Sequence, residues 1–465
     1  MLWICDKCKV KWAYPVEKCI YCRGAVRTEH GSKLKVIGRS DVFAASAEHE
    51  KIPYACLLLE DEKGNLHIRK TFSDAKIGDA LKGNESAPKK NLVAVSRTGY
   101  SAKDAAKRVM QMLALQEIRP GMKILIKPNL ALAKPASSGI VTNPEVVRGV
   151  IEFLLERGIE KKEIIVAESS VIGFSTMEAY EKSGMRALCE ETGIAFKDLT
   201  DGKFVNKTVE IAGKKHVFGI AEDAFENDLV INVPVIKTHF QTGMSVALKN
   251  MKGLEDTATR KRMHKINIDE QIAYMQLALP KYLTVADGSI ALEGMGPAVM
   301  GKPANLSLVL AGRDAVALEA AVSEIIGIPI AKHTMLASKL GFGIADAKEI
   351  EIIGEELEVI KRKFEPASGR LSPHADVDLA DGKPCSGCLN SVWGVLNKLK
   401  STRGKRICVA FGSMLSKELI DGSAIAIGDC ACGKIAGNGK TAKLLGCPPD
   451  MAKQEEIIRK YLLEQ

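Results

Sequence analysis

Two groups of cysteines stand out for what their spacing could do. Cys5-Asp-Lys-Cys8 and Cys19-Ile-Tyr-Cys22 are C-x2-C pairs separated by ten residues. Each pair turns tightly enough to present two thiolates to one ion, and two such knuckles complete a tetrahedron. Zinc suits a closed, redox-silent site of this kind, with rubredoxin-like iron the geometric alternative. The second group is Cys385-Ser-Gly-Cys388, Cys430-Ala-Cys432 and Cys447-Pro-Pro. These five thiols are widely separated and surrounded by small residues, which suits a [4Fe–4S] cluster better than a compact zinc site. A second zinc or a Cys385/Cys388 dithiol is the competing reading. Cys385, Cys388 and Cys447 are taken as ligands. Cys430 and Cys432 compete for the fourth place, Cys430 being preferred because it leaves the preceding strand first. Cys56, Cys189 and Cys408 lie alone in apolar runs and read as small buried hydrophobes.

Between these groups lies a run of cations. Residues 237–265 hold seven Lys or Arg against two acids, together with His239 and His264. Lys127, Lys237, Lys249 and Arg262 are candidates for binding a phosphate or carboxylate, and His239 for moving a proton. Asn129, Thr142, Asn143, Lys252, His264, Asp287 and Glu293 are further candidate substrate contacts, and Asn250 joins the candidate catalytic group. Several of them follow apolar runs directly, and in open α/β sheets ligands bind at the carboxyl ends of strands. His30, His49, His67, His216 and His374 read as packing residues.

The elements that must position these groups follow from the hydrophobic pattern. Short strand-like stretches at Lys33–Ser40, Ile52–Leu59 and Leu66–Thr71 follow the first cysteines and suggest a small OB-like β-barrel. Residues 83–90 read as a linker. From residue 91 to about 380, buried-strand runs at Leu92–Val95, Lys123–Ile126, Ile164–Ala167, Leu229–Val233, Leu283–Ala286 and Leu306–Leu310 alternate with helical patterns such as Glu145–Arg157 and Ala315–Ile326. Such alternation predicts an α/β domain with a largely parallel sheet. Asn143-Pro144-Glu145 reads as a helix start. From Pro384 onward a small cysteine-rich α/β region is expected, with strands at Arg406–Ala410 and Ala424–Ile427 and a closing helix over Met451–Leu463. The multidomain reading is therefore a zinc ribbon over 1–30, an OB-like barrel over 31–85, a central domain over 91–380 and a cysteine-rich domain over 384–465.

Composition narrows the class. The 465 residues are 46% hydrophobic and 26% charged, with a net charge of +9, which suits a globular protein of about three domains. The start offers no basic leader with a long apolar run, and no segment is apolar enough to span a membrane, so a cytoplasmic protein is expected. Aromatic residues make up only 5%, which leaves few stacking platforms and argues against nucleic-acid binding.

Six motifs carry a resemblance. The K-P-N-L of Lys127–Leu130, T-N-P-E-V-V of Thr142–Val147, K-T-H of Lys237–His239 and L-K-N-M-K-G of Leu248–Gly253 come first. Ala286–Gly288 with Glu293–Pro297, and the G-R-D-A-V-A-L of Gly312–Leu318, complete the order. Together they resemble the domain-of-unknown-function 362 family, whose members often carry iron–sulfur cysteines. The ribbon with Ile52-Pro53-Tyr54 and Ile77-Gly78-Asp79 resembles the domain-of-unknown-function 35 module, which implies a thiolase-type or acyl-CoA enzyme as partner. The leading expectation is an iron–sulfur enzyme, redox or lyase in type, acting on a small anionic substrate (a phosphate or carboxylate, or an acyl thioester). A non-catalytic acyl-CoA-associated scaffold with two structural metal sites is second, and nucleic-acid binding third.

Overall fold

The apolar runs of the middle of the chain become one large sheet. Its strand order is Ala195–Asp198, Ile164–Glu168, Ile124–Pro128, Leu229–Val233, Tyr282–Gly294, Leu308–Gly312, Leu92–Arg97 and Glu351–Ile353, with Val235–His239, Gly243–Ser245 and Gly301–Pro303 attached to one side. This computed structural model describes the chain apart from residues 1, 10, 13–18, 20–21, 23, 30–32, 43–53, 62–63, 65, 72–75, 83–90, 100, 368–373, 375, 400–405, 416–423, 436–440 and 464–465. The expected linker at 83–90, and Ile52, Pro53, His30 and His49, lie outside the described residues.

Along the main path only Leu308–Gly312 runs against its neighbours, pairing antiparallel with both Tyr282–Gly294 and Leu92–Arg97. The reason is local. Residues 295–307 contain no helix, and a parallel return would need a long crossover. The sheet is therefore mixed but mostly parallel.

Successive residues of each strand face opposite sides, so the sheet carries two cores. Leu125, Ala286, Leu308 and Leu310 point into one. Ile124, Ile126, Leu283, Val285, Val309 and Ala311 point into the other. The helices begin on side-chain caps that satisfy their free amides. Asn143 accepts the Glu145 N–H at the head of Pro144–Glu156, and Asp314 accepts those of Val316 and Ala317 before Ala315–Ile326.

A second sheet follows. Val377–Gly382, Ile407–Gly412, Ala424–Ile427 and Thr441–Leu444 are all parallel, in that order, with helices Ser386–Leu396 and Met451–Leu463 packed together beside them. Two of its four strands were not expected from the sequence, because Val377–Gly382 and Thr441–Leu444 contain alternating polar residues. This layer is tied to the large sheet. Gln241 Nε2 donates to the carbonyls of Lys383 and Pro384, and Phe240 and Met300 pack on the smaller core.

Residues Met1–Lys89 and Lys90–Gln465 form two compact units. In the first, Leu2–Cys5, Lys11–Trp12 and Val26–Glu29 make a three-stranded antiparallel sheet. Leu66–Thr71, Tyr54–Asp61, Lys33–Val42 and Ala80–Lys82 make a second, four-stranded one. Five or so strands closing a barrel were expected; the described strands form this four-stranded sheet.

Candidate active site

In the second unit, the carboxyl end of Ile124–Pro128 carries Lys127, fully buried and paired to Glu168 at 2.6 Å. Gly253 lies against this pair, where a Cβ would stand 2.0 Å from Glu168 Oε1 and 2.5 Å from Lys127 Nζ. Glu168 lines the ligand space while Lys127 lies behind it, so Lys127 is not free to bind an anion. Beside it runs a chain of amides. Asn232 Nδ2 donates to Ala247 O, Asn250 Nδ2 to Asn232 Oδ1, and Asn129 Nδ2 to Asn250 Oδ1. Lys237 Nζ ends the chain, donating to Asn129 Oδ1 at 3.0 Å and to Ile140 O at 2.7 Å. Each amide fixes the orientation of the next, so Asn129, Lys237 and Asn250 form one rigid wall.

These residues open onto a cavity of about 160 Å³. Of the expected residues it is lined by Asn129, Lys237, Lys249, Asn250, Lys252 and His264, and also by Cys385, Cys388, Cys430 and Cys447. The far cysteines and the central cations thus meet across more than a hundred residues of sequence. Lys252 Nζ and His264 Nε2 are 3.0 Å apart.

The remaining expected residues lie elsewhere. Thr142 and Asn143 are supports: Thr142 Oγ1 donates to Val233 O and accepts the Asn129 N–H, and the Asn143 N–H donates to Asp287 Oδ2. Glu293 accepts the Glu365 N–H and faces Arg362. His239 is fully buried outside the cavity lining, because Gly243–Ser245 folds back over its strand. Its Nδ1 accepts the Gln241 N–H. Arg262 turns away and donates to Val217 O.

Helix Thr257–Lys265 explains that last correction. At 3.6 residues per turn, Arg260, Lys261, His264 and Lys265 share one face, and Arg262 lies outside it. The cavity is lined by those four. Arg260 is consumed structurally, donating to the carbonyls of Glu255, Ser170 and Gly253 and to Ser169 Oγ. The i, i+4 pattern of Lys261 and Lys265 was the missed signal. Asn232, a lone amide inside the apolar Leu229–Val233, was another.

Burial dominates the electrostatics. It brings Lys237 down to about 7, against opposing attraction from Glu168 and Asp287. It brings Lys252 down to about 8 and pushes Glu255 up to about 7. Lys249, His239 and His264 are all held well below their ordinary ranges by burial and by neighbouring cations. The lining carries more basic groups than the two acids, Glu168 and Asp429, that share it, which favours anions.

Four thiols, of a kind that ligates metal, line this one cavity. Burial pushes the Cys430 and Cys447 thiols up, with Lys265 and Lys261 opposing it, while the Cys388 thiol, helped last by Lys252, brings Cys385 down to about 6. Glycines 387, 412 and 446 line the same space, leaving room for backbone approach. Cys432 is excluded, since its buried thiol faces the carbonyls of Ala426 and Leu444. Four donors, Cys385, Cys388, Cys430 and Cys447, fit the requirement of a [4Fe–4S] cluster.

In the first unit, the sulfurs of Cys5, Cys8, Cys19 and Cys22 all lie within 4.8 Å of one another. The Cys8 N–H donates to Cys5 Sγ and the Cys22 N–H to Cys19 Sγ, as knuckle geometry requires. The Cys8 amide is the main reason the Cys5 thiol falls to about 6. Metal–sulfur bonds of about 2.3 Å around a tetrahedron place sulfurs a little under 4 Å apart. The contacts of 3.4 Å between Cys5 and Cys22 and 3.3 Å between Cys8 and Cys19 are close to that. The group can hold a metal ion.

Fold and cavity together define a mixed α/β protein with a lysine-rich, thiol-bearing pocket. Residues 124–324 match the family model described as domain of unknown function (DUF362). A thylakoid-associated protein of Synechocystis sp. is 25% identical over 233 residues, covering 49% of this chain and 70% of that protein. Among solved structures, a Thermotoga maritima protein is similar at 12% identity and TM-score 0.35, covering 68% of this chain and 72% of its own. The lactate racemase apoprotein from Thermoanaerobacterium thermosaccharolyticum is similar at 14% identity and TM-score 0.33, covering 73% of each chain.

Proposed function

We propose that this protein is an iron–sulfur enzyme that binds a small anionic substrate, a carboxylate or phosphate, in the cavity of its second unit. The observation that carries the reading is that Cys385, Cys388, Cys430 and Cys447 line the same cavity as Lys237, Lys249, Lys252 and His264. A [4Fe–4S] cluster held by those cysteines would supply electron transfer or, with an open iron position, Lewis acidity. The chain's own groups do the rest. Asn129 and Asn250 orient the substrate, and Lys237 and Lys252 neutralise its charge. The Lys252–His264 pair shares a proton at the cavity wall and takes the proton-transfer role that sequence reading gave His239. In the first unit, Cys5, Cys8, Cys19 and Cys22 hold zinc as a structural site.

Anaerobic purification tests this. Broad absorption near ~400 nm, bleached by dithionite, is expected together with iron and acid-labile sulfide. Both should vanish in a Cys385→Ser, Cys388→Ser variant. Zinc at both cysteine groups with no such absorption would sink the reading and leave a scaffold with two structural metal sites.

A further inference from the structure

Four lysines stand about the cavity, Lys127 and Lys237 buried and Lys249 and Lys252 half-buried, and three of the four are engaged. Lys127 pairs with Glu168, Lys237 donates to Asn129 and Ile140, and Lys252 meets His264. The fourth, Lys249, lines the cavity, and its amine makes no hydrogen bond or ion pair with any described residue. Lys249 is half-buried and lines the cavity, so its unpartnered amine is available to a ligand there. The backbone that carries this side chain is held in place. Lys249 lies on the four-residue helix Ala247–Asn250, where the Leu248 N–H donates to Glu319 Oε1 at 2.9 Å and Gln276 Nε2 donates to Leu248 O at 3.1 Å. Asn250 locks the other end through the amide chain.

We propose that Lys249 is a nucleophile that captures a carbonyl-bearing acid, a 2-oxo carboxylate, as an imine. The placement supplies both halves of that task. Lys237 and Lys252 are the cations that act on Lys249; they keep its nitrogen lone pair free and attract the carboxylate of the incoming acid. Desolvation works in the same direction. The step is an addition followed by a dehydration. The Lys249 nitrogen forms a bond to the carbonyl carbon, and the carbon–oxygen bond then breaks. The two protons lost by the amine leave with that oxygen as water, and the Lys252–His264 pair carries them between the atoms. No oxidant or reductant enters. The resulting imine is an electron sink, which suits loss of the carboxylate or proton exchange at the carbon on the other side of the imine.

This inference rests on the anion-binding reading of the cavity, and the test separates the two. Full-length protein, purified anaerobically, is incubated with pyruvate, oxaloacetate or 2-oxoglutarate and sodium cyanoborohydride, then examined by intact mass and peptide mapping. The expected result is one adduct per chain, heavier by the keto acid less one oxygen and located on Lys249. Lys249→Arg and Lys249→Met should abolish it, and the matching 2-hydroxy acid should suppress it by occupying the cavity. Calorimetric binding of that 2-hydroxy acid to either variant shows that the fold survives. Binding of the acids with no adduct, or with adducts spread over other lysines, would overturn the imine alone. Failure of both oxo and hydroxy acids to bind would overturn the carboxylate reading and the imine with it.

Discussion

At the scale of single residues, the cavity separates Cys430 from Cys432, which the sequence ranks only by their order after a strand. Cys430 opens on the ligand space and Cys432 hydrogen-bonds to two carbonyls behind it. Cys430→Ala is therefore expected to abolish the absorption near ~400 nm. Cys432→Ala should retain it and cost about 1 kcal/mol, as for one buried group removed from a core. Retained absorption in Cys430→Ala would refute the assignment. Lys237 makes a pH prediction. Burial places it at about 7 in the fold, against 10.5 for an ordinary lysine. A bound carboxylate must restore its proton, so affinity should fall as pH rises above about 7, with proton uptake visible in buffers of different ionisation enthalpy. For stability the sign is opposite. Between about 7 and 10.5 the unfolded chain binds more protons than the fold, so this group makes the protein more stable as pH rises. Denaturation midpoints across that range that do not rise in wild type relative to Lys237→Met would count against this reading.

At the scale of elements, most strands were legible because buried strands leave unbroken apolar runs. Leu229–Val233 and helix Ala315–Ile326 carry the same bounds in sequence and structure. Polar-rich Val377–Gly382 and Thr441–Leu444 left no such trace. The cations were legible as a cluster but not as a face: Arg262 was chosen where helical spacing selects Lys261 and Lys265. Close approach is the feature that sequence shows least. Gly253 permits the end of the Met251–Leu254 turn to lie on the Lys127–Glu168 pair. Gly253→Ala should force those groups apart at a cost of about 1–3 kcal/mol, the usual range for overpacking. Gly202→Ala, whose Cβ would meet nothing nearer than 3.4 Å, is the control. Equal denaturant midpoints for the two variants would remove the argument.

At the scale of the molecule, two cysteine groups lie in two compact units, and no described helix is long and apolar enough to cross a membrane. The groups should be separable. A Cys5→Ser, Cys8→Ser variant is expected to lose one equivalent of zinc and keep the dithionite-sensitive absorption, whereas Cys385→Ser, Cys388→Ser should do the reverse. Loss of both signals in either variant would tie the sites together. A last consequence comes from the lysines that face the thiols, in terms of the order of synthesis. Lys252, Lys261 and Lys265 leave the ribosome more than a hundred residues before Cys385. Until the thiols are in place, Glu255 offsets Lys252 alone and the three lysines repel one another. A small anion should then stand in for the missing partner and speed folding of the central sheet. Refolding from urea should be faster with dilute inorganic phosphate than with chloride at equal ionic strength, and a Lys261→Ala, Lys265→Ala variant should lose most of that difference. Equal rates in the two salts for the wild-type chain would show that the wall folds without help.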